Sequence, residues 1–185
     1  YIDSWISLSG VFNGAPMMVD QLTSGNIFYG MLQEPSWIDK NDYRDVMRTW
    51  SGVVWMVPQA SAGSAEDRVI VRGVSSSSGQ DARNFTLSDV HEFFALTGAD
   101  AAADMLEHTF GGTDLATLDD PGVRIHCWYT DDIPTKAEYV YDLNNLAEPL
   151  RVISVAGDDT CDAASLSVCK RWASAEVSVK SGIAH

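Results

Sequence analysis

The feature that most limits how this chain can fold is the order of segments in its last third: strand, acidic turn, helix, strand, histidine. Val123 to Tyr129 alternates apolar residues in the manner of a strand. Glu138 to Tyr141 and Leu150 to Val155 read as two more strands, a hairpin excursion joined by Asn144-Asn145. Ala163 to Trp172 reads as a helix, with Leu166 and Cys169 spaced to share a face. Val177 to Lys180 is a final strand, and the loop after it carries His185. A strand-helix-strand unit of this kind closes as a right-handed crossover. It predicts Asp158 and His185 at the carboxyl ends of neighbouring parallel strands, the edge where open α/β sheets bind ligands. The expected class is α/β.

The first two thirds are less regular. Ile2 to Leu8 reads as a buried strand, followed by turn residues at Ser9-Gly10 and Asn13-Gly14-Ala15-Pro16. Gln21 to Arg48 reads as irregular, with aromatic residues scattered among polar ones. Val53 to Val57, closed by Pro58, and Arg68 to Gly73 are expected as short strands. Leu87 to Phe94 begins a helix with Ser88 as its cap and Val90, Phe93 and Phe94 on one face. Ala99 to His108 is expected as a second helix, ended by Gly111-Gly112. This predicts a core made of residues 1–14 and 121–185, interrupted by a cap or lid insertion over 15–120. The chain opens on a strand and stops at His185, which reads as part of a longer fold.

A formal net charge of -14 excludes nucleic acid as the main partner, because phosphate binding needs a basic face. The same charge is repelled by an anionic membrane, so contact with lipid has to be hydrophobic. No apolar run approaches the roughly 20 residues a spanning helix needs.

The chemistry concentrates at Gly157-Asp158-Asp159-Thr160. A glycine before an acid permits a sharp turn at a strand end, so that the carboxylate points back over the sheet. A buried carboxylate that accepts from imidazole fixes the ring's tautomer and stabilises the imidazolium formed when a hydroxyl nucleophile is deprotonated. Asp158 before His185 fits the second half of the serine, acid, histidine order of α/β-hydrolases. Spacing alone also fits a solvated acidic turn and a tail histidine. Three cysteines allow one pair with one left over, or three reduced thiols. No cysteine pair has zinc spacing, and Ala95 stands where a second histidine after His91-Glu92 would be needed. No metal or cofactor is expected.

Several separated stretches, in order along the chain, resemble the lecithin:cholesterol acyltransferase family, which includes lysosomal phospholipase and phospholipid:diacylglycerol acyltransferases. They are Tyr1 to Leu8, Leu22-Thr23-Ser24-Gly25-Asn26, Arg48 with Trp55-Met56-Val57-Pro58, and Asn84-Phe85-Thr86-Leu87 through Phe94. Pro121 to Tyr129 with Ile133-Pro134-Thr135, Gly157 to Thr160 and Ser181 to His185 complete the set. The resemblance implies an incomplete α/β-hydrolase fold, the C-terminal part of its central mostly parallel sheet. It makes Asp158 the triad acid and His185 the base, with Asp159 as the fallback acid. It pairs Cys127 with Cys169, makes Asn84 a glycosylation sequon, and puts the family's lid at Phe28, Tyr29, Met31, Leu32, Trp37 and Ile38. No Gly-x-Ser-x-Gly elbow occurs in the sequence, so the serine is expected upstream and the isolated chain is expected to be inactive. Two departures stand out. Ser9 to Gly14 replaces the family's Gly-Ala-Pro-Trp-Gly-Gly, and Cys161 replaces the usual valine after the acid-loop threonine.

The implied function is acyl transfer from a phospholipid donor to a sterol, glyceride or water acceptor. The implied partners are a transient lipid surface and the N-terminal part of the same hydrolase domain, and the compartment is secreted or lumenal. A non-catalytic lipid-binding relic of the fold and a general lipase or esterase are the rival readings.

Overall fold

A computed structural model of the chain describes residues 2–26, 39–60, 68–75, 81–110 and 118–181. Strand β1 (Ser4–Leu8) pairs in parallel with β4 (Arg124–Thr130), and β4 pairs in parallel with β7 (Ala175–Lys180). Alternation along β4 buries Ile125, Cys127 and Tyr129 on one face of this three-stranded sheet. The other face is open: Ile6 is 57% exposed, Leu8 65% and Trp128 44%. Purely parallel sheets are ordinarily covered on both faces.

A second sheet has four strands in the order β3-β2-β5-β6. It joins β2 (Val69–Val74) and β3 (Asp81–Thr86) to β5 (Ile133–Asp142) and β6 (Arg151–Gly157). The β2–β5 pairing is parallel and the two flanking pairings are antiparallel. Only Asp131 and Asp132 separate β4 from β5, so the chain passes from one sheet directly into the other.

This overturns the simple crossover expected from the sequence. The strand that delivers Asp158, β6, is the edge of the second sheet, while β7 lies beside β4 in the first. The cause is the length of the hairpin. Ile133 to Lys136 already pair with Ser154 to Gly157, so β5 is longer than its apolar core suggested and carries β6 out of the parallel sheet. The second sheet also draws strands from both sides of the boundary expected at residue 120.

The helices depart from expectation in instructive ways. The stretch read as irregular, Gln21 to Arg48, holds the second half of α1 (Met17–Ser24) and all of α2 (Lys40–Met47). Met18, Val19 and Leu22 of α1 are buried at helical spacing, and Gly25 ends it at φ 74°, a left-handed conformation that suits glycine. Asp39 caps α2 by accepting from the Asn41 amide at 2.7 Å. Residues Ser51–Trp55 form α3, not a strand. Val53 and Val54 are adjacent and both buried, which a half-buried strand does not allow; a short apolar run fits either structure by itself. After β3, Leu87–Asp89 form a 3₁₀ turn leading into α4 (Val90–Leu96). The cap there is Thr86, boxed with Asp89, rather than Ser88. Helix α5 (Asp100–Phe110) follows.

Phe85, Phe93 and Tyr141 meet at the centre, with ring centroids 5.3 and 5.5 Å apart along Phe85–Phe93–Tyr141. Arg48, its side chain 12% exposed, fastens two helix ends. Its Nε donates to the Leu22 carbonyl of α1 at 2.8 Å and its Nη2 to the Thr97 carbonyl after α4 at 3.0 Å. A cation at two helix C-termini also meets the negative ends of their dipoles. Among the described residues, no helix is long and apolar enough to cross a membrane.

Candidate active site

Strand β6 ends at Gly157, and the chain turns back at once. An added Cβ at Gly157 would lie 2.3 Å from the Cys161 carbonyl oxygen and 2.4 Å from Thr135 Oγ1, so glycine is required by close approach. The left-handed residue of the turn is Asp159, at φ 80°. Asp is among the few non-glycine residues that tolerate that region. Two contacts close the turn: the Asp158 amide donates to the Cys161 carbonyl at 3.1 Å, and the Asp159 amide donates to Thr135 Oγ1 at 2.8 Å.

These constraints bury Asp158 completely. Its Oδ1 accepts from the backbone amides of Thr160 at 3.1 Å and Cys161 at 2.7 Å. Its Oδ2 is also buried and has no hydrogen-bond partner among the described residues. A carboxylate with one oxygen fixed by backbone donors and the other open is poised to accept one further N–H, since a buried unsatisfied acceptor is costly. Asp159, the fallback acid, is exposed.

The turn lies against the link between the two sheets. Ile133 bridges both Gly157 and Asp158, which brings the acid to the carboxyl end of β4. Asp132, in the same link, accepts from Thr130 Oγ1 at 2.7 Å and from Ser181 Oγ at 2.6 Å. Ser181 is the residue at which the chain leaves β7. One short segment therefore touches the acid turn on one side and the exit of the last strand on the other.

Beyond the turn, Asp162 caps α6 (Ala163–Leu166), accepting from the Ser165 amide at 2.9 Å. The 3₁₀ turn Ser167–Arg171 follows, and its Cys169 is disulfide-bonded to Cys127 on β4, with Cα atoms 6.5 Å apart. The bond ties the descending arm of the acid loop to the central strand of the parallel sheet. Cys161 is the free, buried cysteine among the described residues. Burial, then the neighbouring carboxylates of Asp158 and Asp162, push its thiol up to about 12. A thiol so placed stays protonated and unreactive.

Asn84 is exposed on β3, an edge strand of the second sheet. His185 and the segment of Phe28, Tyr29, Met31, Leu32, Trp37 and Ile38 lie outside the described residues. Sequence reading missed Thr135, Asp162 and Arg68 as supports of the acid turn. An aspartate immediately before Ala-Ala-Ser-Leu is a legible helix cap, but nothing around Arg68 marked it.

The sequence model of the family described as Lecithin:cholesterol acyltransferase matches residues 113–183, the stretch that contains β4 to β7 and the acid turn. Over that stretch the chain is similar to the lecithin:cholesterol acyltransferase family. A phosphatidylcholine-sterol acyltransferase of Gallus gallus is 29% identical over 174 residues, covering 93% of this chain and 38% of the relative. A lysosomal phospholipase A and acyltransferase of Mus musculus is 27% identical over 174 residues, covering 94% of this chain and 38% of the relative. The Homo sapiens phosphatidylcholine-sterol acyltransferase is 29% identical over 175 residues, with 93% and 36% covered. The chain thus spans little more than a third of these relatives' length. By their names, the relatives in the family are enzymes of acyl transfer and phospholipid hydrolysis, and the mixed architecture with a parallel sheet fits the α/β class.

Proposed function

We propose that this chain supplies the acid and the base of a Ser-Asp-His triad in a lipid O-acyltransferase or phospholipase. The serine comes from a part of the protein outside this chain. The observation that carries the reading is the Asp158 carboxylate: fully buried, one oxygen held by two backbone amides, the other without a hydrogen-bond partner among the described residues. An imidazole N–H from His185 is the donor that oxygen suits.

In this mechanism Asp158 accepts from one ring nitrogen of His185 and fixes its tautomer. The other ring nitrogen takes the serine proton as the serine oxygen attacks the phospholipid ester carbonyl. The tetrahedral intermediate collapses, the ester C–O bond breaks, and the imidazolium returns the proton to the departing lysolipid oxygen. The acyl-serine is then attacked by an acceptor O–H, from a sterol, a glyceride or water; His185 takes that proton and returns it to the serine oxygen as the acyl–serine bond breaks. Transferase and hydrolase share every step but the last acceptor.

On this reading the open face of the parallel sheet, with Ile6, Leu8 and Trp128, is covered by the rest of the hydrolase domain. The isolated chain is inactive because its acid and base have no hydroxyl to activate. The Cys127–Cys169 bond and the sequon at exposed Asn84 favour a secreted or lumenal compartment.

The test is the full-length protein assayed for fatty-acid release from phosphatidylcholine vesicles. Asp158→Asn and His185→Ala are expected to abolish turnover while leaving the melting transition in place. Normal turnover in both variants overturns the assignment.

A further inference from the structure

Asp162 is a second carboxylate in the acid turn, and the triad does not use it. Its side chain is 2% exposed, and across from it stands Arg68, 32% exposed, with Nη1 2.6 Å from Asp162 Oδ2. This is a close contact of opposite charges without hydrogen-bond alignment at Oδ2. The two residues come from distant parts of the chain. Arg68 immediately precedes β2, and its carbonyl accepts from the Leu87 amide at 2.9 Å, which anchors it to the start of the 3₁₀ turn before α4. The backbone of Asp162 forms a β-bridge with Gly157, the residue before Asp158, and its Oδ1 caps α6. Asp158, Cys161 and Asp162 are all buried, so one turn holds two acidic groups away from solvent.

We propose that Arg68 is a positioning residue for the catalytic acid, acting through Asp162; this rests on the triad reading above. Two carboxylates buried in one turn repel each other unless a cation stands beside them. Arg68 neutralises Asp162, so Asp162 keeps both its bridge to Gly157 and its cap on α6, and the turn that aims Asp158 Oδ2 stays closed. Without the guanidinium, Asp162 is a buried charge lacking its partner, and the turn opens to hydrate it. Truncating one member of a buried pair is more damaging than replacing both, which gives the inference a distinctive signature.

The experiment compares Arg68→Met, Arg68→Lys, Arg68→Met with Asp162→Asn, and Asp158→Asn in the full-length protein. Turnover is followed on phosphatidylcholine vesicles, with melting recorded for each variant. Arg68→Met is expected to lower kcat about 10- to 100-fold, the scale of a displacement of about 1 Å in catalytic geometry. KM is expected to stay within about twofold. Arg68→Lys and the double variant are expected within about fivefold of the wild-type kcat, since the first keeps a cation and the second removes the orphaned charge while asparagine still caps α6. An Arg68→Met enzyme within about fivefold of wild type overturns the proposal. So does a folded double variant no faster than Arg68→Met. If Arg68→Met does not fold, the double variant decides: folded and within about fivefold of wild type supports the proposal, anything less overturns it. Asp158→Asn separates the two claims. If it retains turnover, the triad reading fails; if it is dead while Arg68→Met is normal, only the positioning role fails.

Discussion

Breaking the Cys127–Cys169 bond perturbs a quantity that can be worked from the fold. The bond closes a loop of sequence separation 42, which contains β5, β6 and the acid turn. In the chain-entropy model a loop of that length restricts the unfolded ensemble by about 4 kcal/mol. Domains of ordinary size are stable by about 5–15 kcal/mol, so the bond accounts for a large share of the margin. The assay is urea unfolding of the protein carrying this chain, followed by tryptophan fluorescence with and without a phosphine reductant. Reduction isolates the cross-link, because no buried atom is lost. With a urea dependence of about 2 kcal/mol/M, the midpoint is expected to fall by about 2 M. Cys127→Ala with Cys169→Ala should fall at least as far and become insensitive to reductant. A shift below about 0.5 M with an unchanged slope would refute the claim that this loop is held mainly by its cross-link.

Three further outcomes follow from contacts described above. Arg48→Met removes two charge-assisted hydrogen bonds to helix-end carbonyls and is expected to cost about 3–5 kcal/mol in chemical denaturation, with Arg48→Lys recovering part of it. Gly157→Ala forces a Cβ against the Cys161 carbonyl and Thr135, and is expected to lower kcat about 100-fold while a change at exposed Asp159 to Asn, which also accepts a left-handed φ, has little effect. Cys161, with its folded pKa raised from 9.0 to about 12, binds its proton more tightly folded than unfolded. Its contribution to stability is therefore full below about pH 9 and is lost as pH climbs towards about 12. Denaturation of wild type and Cys161→Ala across that window should show the wild-type advantage shrinking with pH; a constant difference would exclude it.

Much of this architecture was legible because period and punctuation agree locally. The alternation in Val123 to Tyr129 and the spacing of Val90, Phe93 and Phe94 each point to one structure, and each is found. What misled was local ambiguity. Val53 and Val54 suit a strand by propensity, but both are buried side by side, so tertiary packing decided for a helix. The register of Ile133 to Lys136 with Ser154 to Gly157 lies in residues without a strong apolar pattern, and this hid the second sheet and with it the true neighbour of β6. At the acid turn, Gly157 and Asp158 were visible as a motif. The hydroxyl of Thr135 and the cation of Arg68 were not, since both reach the turn through folding rather than through sequence proximity.

The shared sheet has an engineering consequence. Asp158 hangs from a strand whose hydrogen-bonded neighbours run back through β5 to β2 and β3. A shortened protein made by excising residues 15–120 would therefore lose half of the platform beneath its own acid. Grafting that region between homologues would retune the acid's footing along with whatever the region covers.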